Sequence, residues 1–223
     1  GSRRSSRTAA EDTFALAASG VELVGLSVRV VEGRTRLVAR SLVLDSLIVD
    51  VSESMVPDSS PDREPPVTPV RRLARDSGLF GRIDSLHVRA GRVRYTQRRP
   101  DQPGAGEIVF DRIDVRAGPL PLGGRGTPGL DTVRVIARGR VARQAPVWIA
   151  ASFSARSAGF SFEARGGLTA LDLTALNGMF RPTEGIRIES GRLDSLTFRM
   201  RVREGRAAGR VEPVYDSLSL TLE

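Results

Sequence analysis

Aspartate recurs in one fixed setting along this chain. An apolar residue followed by Asp-Ser-Leu occurs at Leu44-Asp45-Ser46-Leu47, Ile83-Asp84-Ser85-Leu86, Leu193-Asp194-Ser195-Leu196 and Tyr215-Asp216-Ser217-Leu218. Looser copies are Leu130-Asp131-Thr132-Val133 and Phe110-Asp111-Arg112-Ile113. A catalytic carboxylate needs a second acid or base brought close to it in one cleft. Copies strung along a chain point instead to a structural duty. Each Asp is expected at a solvent edge, paired with a cross-strand Arg for a few tenths of a kcal/mol up to ~1. The irregular spacing excludes a fixed-period solenoid, so each copy is expected to start a strand of one extended sheet.

Other chemistry finds little material. There is no Cys, which removes disulfides, thiolate zinc sites and Cys nucleophiles. His87 is the only histidine, so a zinc site would need several carboxylates and a triad would need His87 as its base. It lies on the polar side of an alternating run, and no Gly-x-Ser-x-Gly accompanies it. The glycine-rich residues 118–129 lack a Gly-Lys-Ser/Thr ending and lack Gly-x-Gly-x-x-Gly between a strand and a helix, so they read as a loop. No catalytic residue, metal or cofactor is expected, and the chain reads as non-enzymatic.

Charge is the stronger signal. The formal net charge is +8, and every Lys or Arg position is Arg. Lys is absent and Asn occurs only at Asn177. That pairing is the mark of a GC-rich genome and accounts for part of the Arg excess. The remainder favours anionic partners, since a guanidinium is planar, always protonated and suited to bidentate phosphate contact. Arg199, Arg201 and Arg203 form a basic face. A nucleic-acid-binding sheet would interleave stacking aromatics with such residues, and Tyr95 stands almost alone, so no nucleic-acid partner is expected.

The elements that must position these residues read as strands. Leu196, Phe198, Met200 and Val202 alternate with Thr197, Arg199, Arg201 and Arg203. Leu218, Leu220 and Leu222 alternate with Ser217, Ser219 and Thr221, and Val88 and Val93-Arg94-Tyr95 belong to similar runs. Period two puts each set on one face of a strand. Gly33, Gly91, Gly191 and Gly205 lie between strand-like runs and are expected to turn tight hairpins of an antiparallel meander. Longer loops are expected over residues 52–66 (the most mobile), 97–106 and 118–129. Residues 68–78 carry a capping Thr, a Pro in the first turn and a Gly at the exit, and so read as a short helix. Residues 169–180 are a second helix candidate, with Gly178 near its end.

An apolar face of this extent needs covering. Two short helices are too few for a sheet of about ten strands. Such a sheet curls, pairs with another molecule or holds an apolar ligand. A groove of aliphatic side chains suits acyl chains, which ask for apolar contact and little directional bonding. The expected lining is Val88, Val93, Tyr95, Leu196, Phe198, Met200, Val202, Leu218, Leu220 and Leu222. Arg199, Arg201 and Arg203 are expected to face outward or toward head groups. The alternative is a structural or assembly domain that binds a protein partner through its sheet edges or apolar face.

Residues 82–95 (RIDSLHVRAGRVRY) and 185–196 (GIRIESGRLDSL) resemble the strand-turn-strand unit of the AsmA/TamB-like superfamily. Residues 171–177 (LDLTALN), followed by that second unit and by 209–218, are similar to an uncharacterised bacterial branch of it. The likeness runs from about Val21 onward and is strongest after Leu168. It implies a mainly-β, taco-like curved antiparallel sheet (a groove or half-barrel) with one or two short helices. It also implies a periplasmic location in a Gram-negative cell and an inner-membrane anchor upstream. Phospholipid or another acyl lipid would be carried toward the outer membrane, with further β-groove segments of the same protein as partners. Residues 1–11 read as a tag scar (Gly1-Ser2) and a flexible basic N-terminus. Residues 12–223 read as the groove segment, with a subdivision near 143–168. No stretch approaches the ~20 apolar residues of a membrane span. The strand-like alternation at Leu218–Glu223 suggests excision from a longer protein.

Overall fold

The computed structural model describes residues 12–54, 79–100, 102, 104–122, 132–154, 161–203 and 206–223. Its strands are β1 (Thr13–Val24), β2 (Ser27–Val31), β3 (Arg34–Ser54), β4 (Leu79–Arg98), β5 (Ala105–Gly118) and β6 (Leu120–Leu122). They continue as β7 (Thr132–Val141), β8 (Ala145–Ser154), β9 (Phe162–Asp172), β10 (Ile186–Arg203) and β11 (Arg206–Leu222). A 3-10 turn (Leu173–Leu176) and the helix α1 (Asn177–Glu184) separate β9 from β10. All the strands belong to one curved, unclosed sheet ordered β1-β3-β4-β5-β7-β8-β9-β10-β11. β2 continues alongside β3 beyond β1, and β6 alongside β4 beyond β5.

The expected mainly-β architecture is therefore present, with one departure from a pure antiparallel meander. β3 and β4 run parallel, from Thr35 opposite Leu79 to Ser54 opposite Arg98. A parallel pair needs a long crossover in place of a hairpin. Residues 55–78 make that connection and lie outside the described residues, as do the helix expected over 68–78 and most of the loop expected over 52–66. The strands flanking residues 143–168 belong to the same sheet.

Strand β4 passes straight through Gly91 and β10 through Gly191, where hairpins were expected. Gly33 does turn the β2–β3 hairpin. Arg203 pairs with Arg206, and the turn expected at Gly205 lies outside the described residues. A mid-strand glycine marks a bulge as readily as a turn, because both exploit a missing Cβ. Gly91 is buried against Ile113 at shifts in the β4–β5 register.

The four strict Asp-Ser-Leu copies lie inside strands, at or beside such irregularities, whereas the looser copy at 130–133 does lead into the start of β7 at Thr132. Asp45 is deep inside β3, opposite Gly20 of β1, where the regular ladder skips. Gly20 has φ +62, and a Cβ there would overlap the Asp45 carboxylate. Asp194 lies opposite Ala170 (φ +55) at another skipped rung, and Asp216 is followed by Ser217 (φ +54). Asp111 precedes Arg112 (φ +50) at the β5–β7 shift. The spacing explains the repeat. In apolar-Asp-Ser-Leu the outer residues are three apart, so in a regular strand they would face opposite sides. An irregular residue between them returns both to one side. Leu193 and Leu196 accordingly pack in the same cluster. Aligned irregularities crease a sheet and bend it.

The buried core sits beside this crease. Its main cluster comprises Val141, Ala145, Leu171, Leu173, Ile188 and Leu193, with Phe110, Leu168 and Leu196 packed against it, while Ala39, Ile83 and Val88 are buried apart from it on β3 and β4. The helix expected over 169–180 is displaced, because residues through Asp172 complete β9 and α1 runs through Gly178 to end at Gly185. Asp172 caps the intervening turn: its carboxylate accepts from Thr174 N at 2.9 Å and Thr174 Oγ1 at 2.7 Å. These bonds hold its pKa below the usual aspartate value. Asn177 imitates a neighbouring strand, donating to Ile188 O at 2.9 Å and accepting from Ile188 N at 2.7 Å.

Candidate functional site: an open apolar sheet face

Residues paired across neighbouring strands project to the same side, so register reads out each face. One row crosses all nine strands of the main path: Val21, Leu44, Val88, Val115, Ala137, Ile149, Gly166, Phe198 and Val211. The next row is Leu23, Leu42, Leu86, Ala117, Val135, Ala151, Ala164, Met200 and Gly209. No polar side chain interrupts either. Among the described residues, α1 packs against the corner at β5 and β10 and no other helix packs on the face.

Exposure grades across it. Val88 is fully buried near the middle, whereas Val21 is 62% exposed on one edge strand and Leu220 53% on the other. Phe14, Leu16 and Tyr215 are likewise exposed. Edge strands have a neighbour on one side only, and among the described residues no second layer lies over them.

Every expected lining residue falls on this side. Leu196, Phe198, Met200 and Val202 pair with Leu168, Gly166, Ala164 and Phe162. Val93 and Tyr95 pair with Phe110 and Ile108. Leu220 and Leu222 pair with Ile188 and Ile186, and Leu218 and Leu173 both reach the space above Gly191 that a Cβ there would enter. Tyr95 is polar at its tip: its Oη donates to Glu53 at 2.7 Å. Burial, then the Glu53 hydrogen bond and the Glu53 and Asp12 charges, push its pKa up to about 12.

The opposite side is polar. Arg201 and Arg203 project there and share Glu163, at 2.8 and 3.5 Å. Arg199 also projects there, between Arg165 of β9 and Arg210 of β11. Asp45 takes a cross-strand Arg89 at 2.8 Å, as expected. Asp84 and Asp194 instead take the Arg two residues earlier on their own strand, Arg82 at 2.9 Å and Arg192 at 3.6 Å. His87 Nε2 meets Asp114 Oδ2 at 2.7 Å. Among the described residues no hydroxyl bonds that ring, and no three His, Asp or Glu side chains gather as metal ligands would.

Sequence reasoning passed over Trp148, the only tryptophan. It lies on the polar side beside the arginines, 44% exposed, paired with Arg138 and Gly167. Alternation reveals which residues of one strand share a face. It carries no signal for which strands are neighbours, so the meeting of Trp148 with Arg165, Arg199 and Arg210 was invisible. No family model, curated protein or solved structure matches the chain.

Proposed function

We propose that this chain is a non-enzymatic lipid-binding groove segment that holds acyl chains against its concave apolar face. The observation that carries this reading is the uninterrupted apolar surface across nine strands, which among the described residues meets a single short helix. Exposed aliphatic area on this scale demands an occupant, at roughly 25 cal/mol per Å² buried. An acyl chain matches it, because the face offers continuous apolar contact and almost no directional donors. The likeness of residues 82–95 and 185–196 to AsmA/TamB-like units supports the same reading. It extends the proposal to a periplasmic segment, anchored to the inner membrane, in transport toward the outer membrane or in envelope biogenesis.

The test is uptake of a fluorescent phospholipid from liposomes. Phe198→Asp and Leu220→Asp put a charge on the open face and should abolish uptake while preserving the β-type circular dichroism spectrum. Uptake at the wild-type level in both variants would defeat the proposal. A second reading is favoured by the edges of β1 and β11, which are unpaired among the described residues: a partner protein adds a strand there. It predicts a defined complex or oligomer, without lipid, by light scattering.

A further inference from the structure

On the side of the sheet away from the apolar face, β9, β10 and β11 place Arg165, Arg199 and Arg210 directly abreast. Like charges opposite one another on adjacent strands are destabilising. The chain has 26 acidic residues with which to relieve such contacts, yet here it does so only once, with Glu212 at 2.8 Å from Arg210. Arg165 and Arg199 have no carboxylate partner among the described residues. Elsewhere on this face the pattern differs: Glu163 of β9 lies opposite Arg201 of β10 and serves both Arg201 and Arg203.

The three guanidiniums rim an open depression of about 390 Å³, with Trp148 on one side. Its shape depends on Gly167. A Cβ at that position would lie 3.1 Å from Trp148 Nε1, so the missing side chain lets the indole lie across β9. The indole N–H has no hydrogen-bond partner among the described residues, and Trp148 is 44% exposed. Three arginines and one tryptophan thus line one small concavity, with Glu212 its single carboxylate among the described residues.

We propose that this depression binds a phosphate group. Guanidinium forks match the paired oxygens of a phosphate, and such charge-assisted bonds are among the strongest that proteins form. The group can belong to a soluble phosphate or to a lipid head group, since both present the same oxyanion. This site does not depend on the apolar face holding lipid.

The single tryptophan is a built-in reporter. Its emission would be followed while inorganic phosphate is added, with chloride at matched ionic strength as the control. Phosphatidylglycerol vesicles, with phosphatidylcholine vesicles as their control, form the second arm. Equilibrium dialysis with labelled phosphate provides an independent measure. Saturable phosphate binding is expected, weakened about tenfold or more in Arg199→Gln, which loses a charge-assisted contact. Arg201→Gln, outside the depression, should bind as the wild type does. Binding of phosphate together with phosphatidylglycerol assigns the site to head groups; phosphate alone assigns it to soluble phosphates. Absence of phosphate binding in dialysis would overturn the proposal, as would equal loss in Arg199→Gln and Arg201→Gln. So would far tighter binding of a single-stranded oligonucleotide with a steep salt dependence, which would mark an extended polyanion surface.

Discussion

Leu193 and Leu220 are leucines on adjacent strands and on the same side of the sheet, and they should respond differently to truncation. Leu193 is 5% exposed within the core cluster, whereas Leu220 is 53% exposed on the last strand. Leu193→Ala removes buried carbons and leaves a cavity, which costs roughly 2–5 kcal/mol. In Leu220→Ala about half of the side chain is already in water and no closed cavity forms, so the loss falls to ~1 kcal/mol. With a urea slope of about 3 kcal/mol/M, the midpoint should drop by ~1 M for Leu193→Ala and by ~0.3 M for Leu220→Ala. Urea melts followed by far-ultraviolet circular dichroism read this directly. Lipid uptake should invert the order of damage: Leu220→Asp loses uptake in a folded protein, while Leu193→Ala keeps it under conditions where it remains folded. Equal midpoint losses would mean that β11 belongs to a closed core and that the open-face reasoning is wrong.

Other outcomes follow from particular residues. Gly20→Val should lower stability by about 2 kcal/mol or more in thermal melts, because a β-branched residue is strained at φ +62 and its Cβ meets Asp45. Asp45→Ala should cost less than ~1 kcal/mol, since its pair with Arg89 is exposed. For Tyr95 the folded pKa of about 12 exceeds the ordinary 10.0, so its contribution is complete below pH 10 and is lost as pH rises toward 12. An ultraviolet phenolate titration should show one tyrosine ionising near 12, and Glu53→Gln should lower that value. Asp172 has the opposite sign: its contribution is complete above the ordinary aspartate pKa and lost as pH falls through its lowered folded value. Asp172→Ala should cost ~1 kcal/mol at neutral pH and flatten the acid limb of the stability curve.

Strand identity was legible because period two survives in each run, as in Leu196 through Arg203. The facing of the lining residues followed from the same period. Three features were not legible. The parallel pairing of β3 with β4 depends on a crossover that leaves no mark on either strand's pattern. Gly91 and Gly191 read as turns because a bulge and a hairpin both call for a residue without a side chain. The Asp-Ser-Leu repeat was visible as a repeat, but its duty was not: only the register reveals that it restores alternation across a crease. The helix over 169–180 was misplaced because Leu171 and Leu173 reach the core from a strand end and a 3-10 turn, which mimics helical spacing.

Native mass spectrometry of the purified protein tests the central claim most directly. The lipid-groove account predicts species heavier than the bare chain by phospholipid masses, lost on activation and absent from Phe198→Asp. A spectrum of bare chain alone, combined with failure to take up labelled phospholipid from liposomes, would contradict it.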